Sequence, residues 1–126
     1  MTAEILATAN ALYTTGCWLL ERQRHEDAKH VFRTMLLVAP ADERGWLGLG
    51  SCHEETGDTE RADALYELAP HACGPAARCA VARARLLRLA GRFDDADAAY
   101  ALAADHAESA DDFEILAVIV AERDLS

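Results

Sequence analysis

The chain has 126 residues, of which 52% are hydrophobic and 27% charged, a balance that can bury a core and that argues against a disordered chain. Alanine is the most frequent residue, whereas glycine (7) and proline (3) are scarce, which argues against all-β and α/β folds and predicts an all-α protein. The net charge of −10 argues against a nucleic-acid partner, and no apolar run reaches the roughly 18–20 residues of a membrane span.

A 34-residue period runs through the chain from its first predicted helices onward. Three alanines recur at this spacing, and each is followed four residues later by a large aromatic residue. The pairs are Ala28 with Phe32, Ala62 with Tyr66, and Ala96 with Tyr100. Twelve residues before each alanine stands a small residue, namely Gly16, Gly50 or Ala84. Because a small residue lets two helices approach closely and the ring fills the groove against the next pair, the period predicts stacked pairs of helices.

Turn-forming residues divide the chain into units. Pro40 ends one predicted helix and Asp42 can cap the next, while turns are expected at Gly57-Asp58 and at Gly91-Arg92. The predicted units cover about residues 9–42, 43–76 and 77–110, and a C-terminal helix follows over 111–124. Residues 1–126 thus form one predicted domain.

The predicted C-terminal helix is apolar almost all round between Phe113 and Glu122. A terminal helix of a repeat array normally has a polar outer face. This helix is therefore expected either to pack into the array on two sides or to cover a partner subunit in a homodimer. The residues expected to serve self-association are Phe113, Leu116, Ile119 and Val120.

Motifs for catalysis or metal binding are incomplete. His53-Glu54-Glu55 begins like a HExxH zinc site, but Gly57 stands where the second histidine is required. The spacing of His71, Cys73 and Cys79 matches no common zinc site. We therefore expect no enzyme, no metal site and no cofactor. Since the N-terminal segment lacks the basic flank of a secretory signal, the protein is expected in the cytoplasm, with its four cysteines reduced.

The period resembles the tetratricopeptide repeat, a helix–turn–helix unit of 34 residues with the pattern W-x2-L-G-x2-Y…A-x3-F…P. The second unit matches best, with Trp46-x2-Leu49-Gly50 followed by Ala62-x3-Tyr66. The resemblance implies a right-handed α-solenoid of three units plus the C-terminal helix, with a peptide-binding concave face lined by the first helix of each unit. Carried over by position, that face comprises Asn10, Tyr13, Cys17, Leu20, Arg44, Leu47, Ser51, Glu54, Arg78, Val81, Arg85 and Arg88.

Five arginines crowd between His71 and Phe93, where no acidic residue occurs: Arg78, Arg83, Arg85, Arg88 and Arg92. One interpretation is a spot at the groove that binds an anion or a carboxylate. The other is that these arginines are solvated or pair with the acidic segment Asp105–Glu114. The sequence leaves both interpretations open.

A more specific resemblance covers roughly residues 12–104. Phe32-Arg33, Pro40, Trp46-x-Gly48-Leu49-Gly50, Gly57-Asp58 and Ala62-x3-Tyr66-x2-Ala69 follow the signature of the class II chaperones of bacterial type III secretion. The resemblance implies a non-catalytic, cytoplasmic chaperone that holds an extended segment of a hydrophobic translocator client in its concave groove. The family usually carries a longer N-terminal helix, which takes part in dimer contacts, whereas only Met1–Thr8 precede the first unit here.

An alternative function is a general adaptor or scaffold that recruits one soluble protein partner. The two hypotheses differ in the client, because a translocator aggregates unless its apolar segments are covered, whereas the partner of an adaptor is soluble on its own.

Overall fold

The computed structural model describes residues 1–125, which form seven α-helices and no strand. The helices are α1 (Ala3–Glu21), α2 (His25–Val38), α3 (Glu43–Glu55), α4 (Thr59–Cys73), α5 (Ala77–Leu89), α6 (Phe93–Ser109) and α7 (Phe113–Asp124). The predicted all-α repeat fold is confirmed, while the handedness of the solenoid stays a prediction. Within this part of the chain no helix is both long and apolar enough to cross a bilayer.

Three of the helix starts are capped by aspartates. Asp42 accepts a hydrogen bond from the backbone N of Arg44 at the start of α3, as the sequence predicts. Asp58 does the same for α4, and Asp112 for α7. Each cap satisfies a backbone N–H that has no partner within its helix, so each fixes where the helix begins.

The spacing of small and aromatic residues sets the distance between helices. A Cβ atom added at Gly16 in α1 would lie 2.6 Å from the ring of Phe32, and one added at Gly48 in α3 would lie 2.3 Å from the same ring. A Cβ at Gly50 would lie 2.2 Å from the ring of Tyr66. The rings therefore occupy the space that larger side chains would need, and the predicted pairing of small with aromatic residues is confirmed.

The odd-numbered helices form one side of the solenoid. Helix α1 contacts α3, α3 contacts α5, and α5 contacts α7, whereas within residues 1–125 no contact joins α2 with α4 or α4 with α6. Among the described residues, successive odd-numbered helices therefore contact one another, whereas successive even-numbered helices do not. In a curved array of this kind, the helices that approach one another line the inner, concave side, so the even-numbered helices lie outside.

Helix α7 packs on α5 and α6 through one apolar face. Ile115 and Ile119 lie in the same buried cluster as Val81 and Tyr100. Ile119 is 1% exposed, so its assignment to a self-association surface is wrong, because it fills the core of its own chain. Leu116 is half-buried, while Phe113 and Val120 are exposed. The sequence left open whether α7 packs into its own array or covers a partner subunit. One face of α7 is buried within its own chain, and Phe113 and Val120 remain in solvent.

Candidate functional site

The concave side has a floor of partly buried side chains from α1 and α3. Tyr13, Cys17 and Leu20 on α1 are half-buried, and so are Leu47 and Ser51 on α3. Their spacing along each helix places them on one face. The first two units thus present a mainly apolar floor on this side.

Arginine side chains that are held by hydrogen bonds to Asp42, Asn10 and Asp112 border this floor. The guanidinium of Arg44 binds Asp42 through two hydrogen bonds of 3.0 and 2.7 Å and Asn10 through one of 2.9 Å, and it lies 5.0 Å from the ring centre of Tyr13. The hydrogen bonds from Arg44 lower the pKa of Asp42 below its usual value. Arg44 is therefore held over the tyrosine rather than free to reach a ligand.

A contact between the same two positions recurs two repeats later, with the arginine now at the earlier position. Arg78 bonds to Asp112 at 2.6 Å, across the same 34 residues that separate Asn10 from Arg44. Helix α7 thus continues the repeat register, because its capping residue takes the place that Arg44 has on α3 and Arg78 has on α5.

Glu54 is fixed at the far end of α3. The hydroxyl of Tyr66 donates a short hydrogen bond to Oε2 of Glu54. Burial, together with this hydrogen bond, raises the pKa of Tyr66, so the phenol stays protonated and remains a donor. The carboxylate of Glu54 is accordingly positioned by a buried ring and does not swing freely over the floor.

Helix α7 closes the α5 end of the concave side. Arg85 bonds to the carboxylate of Glu122 at 2.6 Å, and Arg88 donates to the backbone oxygen of the same residue at 3.0 Å. The guanidinium of Arg88 lies 4.9 Å from the ring centre of Tyr100. Val81 is 2% exposed beneath α7, so its assignment to the groove surface is wrong, because α7 covers this part of α5.

Ion pairs within the chain account for the arginine-rich stretch. Arg83 bonds to Asp63 and Arg92 to Asp95, each at 2.8 Å, in addition to the pairs that Arg78 and Arg85 make. The predicted acidic segment Asp105–Glu114 supplies only Asp112 of these carboxylates. The remaining partners come from α4, α6 and α7, so pairing extends well beyond the segment that the sequence indicated.

The side chains of the described region hold no cluster of three or more potential metal ligands. All four cysteines are free. Burial raises the pKa of Cys52 and of Cys73 to about 11, and it raises that of Cys79 as well. These three thiols are protonated at neutral pH and are poor nucleophiles.

Sequence reasoning missed two carboxylates that connect units. Glu43 accepts a 2.7 Å hydrogen bond from the backbone N of Cys79 at the start of α5, and burial raises the pKa of Glu43. Glu122 lies 34 residues after Arg88, so extending the register beyond residue 110 could have found it. No sequence pattern points to Glu43, because its hydrogen bond to the backbone N of Cys79 forms only through the packing of two units.

Comparison with solved structures shows where this fold occurs elsewhere. The translocator chaperone SycD of the type III secretion system of Yersinia enterocolitica superposes with a TM-score of 0.72 at 21% identity, over 90% of this chain and 88% of that one. PcrH in complex with the chaperone-binding region of PopB gives a TM-score of 0.74 at 23% identity, over 96% of both chains, and PcrH itself comes from Pseudomonas aeruginosa. This chain has the fold of the translocator chaperones.

A third structure of this fold is SycD in complex with a peptide of the translocator YopD, with a TM-score of 0.68 at 22% identity, over 93% of this chain and 95% of that one. No protein-family model matches the sequence, and comparison with curated proteins also finds no match. The chaperone fold is therefore visible in the packing of the helices and in short motifs, not in overall identity.

Proposed function

We propose that this protein is a cytoplasmic chaperone that holds an extended segment of a type III secretion translocator in its concave groove. The observation that carries the proposal is the fold, because solved structures with it include complexes with a YopD peptide and with the chaperone-binding regions of PopB and PopD. The side chains on the concave side support binding rather than catalysis, since they form an apolar floor bordered by ion pairs. Non-catalytic binding is the function that this geometry serves.

The proposed groove uses the predicted residues of α1 and α3 as its contact surface. Tyr13, Leu20 and Leu47 supply apolar area, and each is half-buried, so a bound segment can cover the rest. On α5, the arginines at 78, 85 and 88 are tied to α7 and border the groove, while Val81 lies outside it. We keep the division into units at 9–42, 43–76 and 77–110 as part of this proposal. A homodimer is a further part of it, with Phe113 and Val120 as the exposed residues of the predicted set.

The test is affinity capture from a lysate of the native host, with proteins identified by mass spectrometry. Wild type and Leu37→Asp should recover a hydrophobic, exported protein, because Leu37 is exposed on α2, outside the groove. Leu47→Asp and Ser51→Arg should lose it, since the first adds charge and the second adds bulk to the groove floor. Circular dichroism melts of each variant separate lost binding from lost folding.

The recovered client is then expressed alone and together with the chaperone. A translocator should be insoluble alone and soluble in the pair. A partner that is soluble in both cases would overturn the chaperone function in favour of an adaptor. Recovery of the same partner by wild type and by both groove variants would place its binding site on another surface.

A further inference from the structure

The 34-residue register creates three equivalent junctions, each joining one unit to the first helix of the next. The first junction joins α1 and α2 to α3, the second joins α3 and α4 to α5, and the third joins α5 and α6 to α7. One pair of positions recurs at every junction, and its members are Lys29 and Glu55, Asp63 and Leu89, and Asp97 and Arg123.

Polar side chains meet across the first junction, and an ion pair spans the third. At the first, Nδ1 of His25 lies 3.3 Å from the carboxylate of Glu55, and Lys29 is buried and paired with Glu26 at 3.1 Å. At the third, Arg123 bonds to Asp97 at 2.8 Å and leaves a pocket of about 220 Å³.

The second junction has one ion pair, between Arg83 and Asp63 at 2.8 Å, but stays open beside Leu89. Leu89 stands at the position of Glu55 and Arg123, cannot form an ion pair, and is 85% exposed. A cleft of about 480 Å³ opens beside it. One wall of the cleft is apolar and comes from the end of α5, with Leu86, Leu87, Leu89 and Ala90.

The opposite wall is acidic. Glu54, Glu60 and Asp63 line it, together with Thr59. Asp63 is neutralised by its ion pair with Arg83, so Glu54 and Glu60 carry the unpaired negative charge. Glu60 is exposed and makes no ion pair or hydrogen bond through its side chain within residues 1–125. The one cation that lines the cleft, Arg92, is bound to Asp95 at 2.8 Å. The cleft therefore combines uncovered aliphatic surface with an excess of negative charge.

We infer that this cleft binds an extended segment of a partner protein in which a lysine or arginine stands next to an aliphatic residue. The aliphatic side chain covers Leu86 and Leu89, and the cation pairs with Glu60, whose charge the chain itself leaves uncompensated. An acidic segment is repelled by the same wall. The site shares only Glu54 with the proposed groove, so it does not rest on the proposed function.

The probes are two acetylated six-residue peptides, one alternating leucine with lysine and the other alternating leucine with glutamate. Each is titrated into the ¹⁵N-labelled full chain, and amide shifts are followed by NMR. The lysine peptide should shift amides of residues 59–63 and 86–92, and its affinity should fall as salt is added. The glutamate peptide should bind at least about tenfold more weakly.

The variant Leu89→Arg gives the second junction the residue of the third and places a cation in the cleft, where it competes with a bound lysine for Glu60 and for Asp63, which already pairs with Arg83. We expect it to weaken binding of the lysine peptide by about tenfold. The matched control is Leu37→Arg, because Leu37 is 86% exposed, lies outside the cleft and undergoes the same change of charge. Glu60→Gln should weaken binding by about threefold, whereas Glu67→Gln, an exposed position farther along α4, should not.

Four results would overturn the inference. They are equal affinities for the two peptides, equal losses in Leu89→Arg and Leu37→Arg, shifts that centre on Leu47 and Ser51 instead of the cleft, and no binding by any form. Because the variants lie at exposed positions, circular dichroism should show unchanged folding.

Discussion

The first and second junctions occupy equivalent positions in the 34-residue repeat, but different side chains lie between their helices. At the first junction, polar side chains fill the space, since Lys29 and His53 are buried and His25 meets Glu55. At the second, the equivalents of His53 and Glu55 are leucines, and Leu89 is left in solvent beside a cleft. The first junction uses its side chains to hold units together, whereas the second leaves surface open. A repeat array can thus keep its fold while its junctions diverge in what they bind.

The ring at the first junction should be the most sensitive to added volume. Gly48 lies against Phe32, whereas the equivalent residue beside Tyr66 at the second junction is Ala82. Gly48→Ala should lower the free energy of unfolding by about 1–3 kcal/mol, because its Cβ would overlap the ring. Urea denaturation measures the loss. The reverse change, Ala82→Gly, should cost about 1 kcal/mol or less, and a larger loss there than at Gly48 would contradict the comparison.

The tyrosines of the second and third units offer a smaller contrast. The Tyr66 hydroxyl bonds to Glu54, whereas the Tyr100 hydroxyl makes no hydrogen bond within residues 1–125. Tyr66→Phe should therefore lower stability by about 1 kcal/mol, and Tyr100→Phe should change it less. The two variants are compared in parallel urea titrations. Equal losses would show that the bond to Glu54 adds nothing to the second unit.

The smallest expected effect is a pH dependence confined to the first junction. Burial, and then the charge of Lys29, lower the pKa of His53 below its ordinary value of 6.5. The other charged groups acting on this imidazole are Asp58, Arg33 and Arg61. Because the folded state disfavours the protonated form, there is no cost above pH 6.5, and stability falls as the pH drops from there through the folded pKa.

Urea denaturation between pH 7.5 and 5 measures this effect as the difference between wild type and His53→Gln, so that other titrating groups cancel. The wild type should lose more stability on acidification than the variant. A wild type and a His53→Gln protein with parallel profiles would mean that the imidazole titrates normally in the fold.

Much of the fold follows from the period, for a physical reason. The contacts of Gly16 and Gly50 with Phe32 and Tyr66 depend on side-chain size at fixed spacing, which a sequence displays directly. The cap at Asp42 is equally local, because it needs only an acceptor before the first turn of a helix.

The candidate site was less predictable, because its details depend on what covers each helix. Val81 was placed on the groove by the repeat pattern and Ile119 on a self-association surface by the apolar character of its helix, yet both lie in one buried cluster. The partners of the arginines depend on long side chains reaching across units, as Arg83 does to Asp63. Spacing along the sequence does not specify such reach.

Helix α7 differs from the earlier odd helices at the position of the small residue. Val118 stands there in place of Gly16, Gly50 and Ala84, and in α1 and α3 an aromatic ring packs directly on the glycine. Val118 packs on the buried cluster that holds Ile115 and Ile119. A ring could not approach the backbone of α7 as closely as Phe32 approaches that of α1, because the branched side chain of Val118 occupies that space.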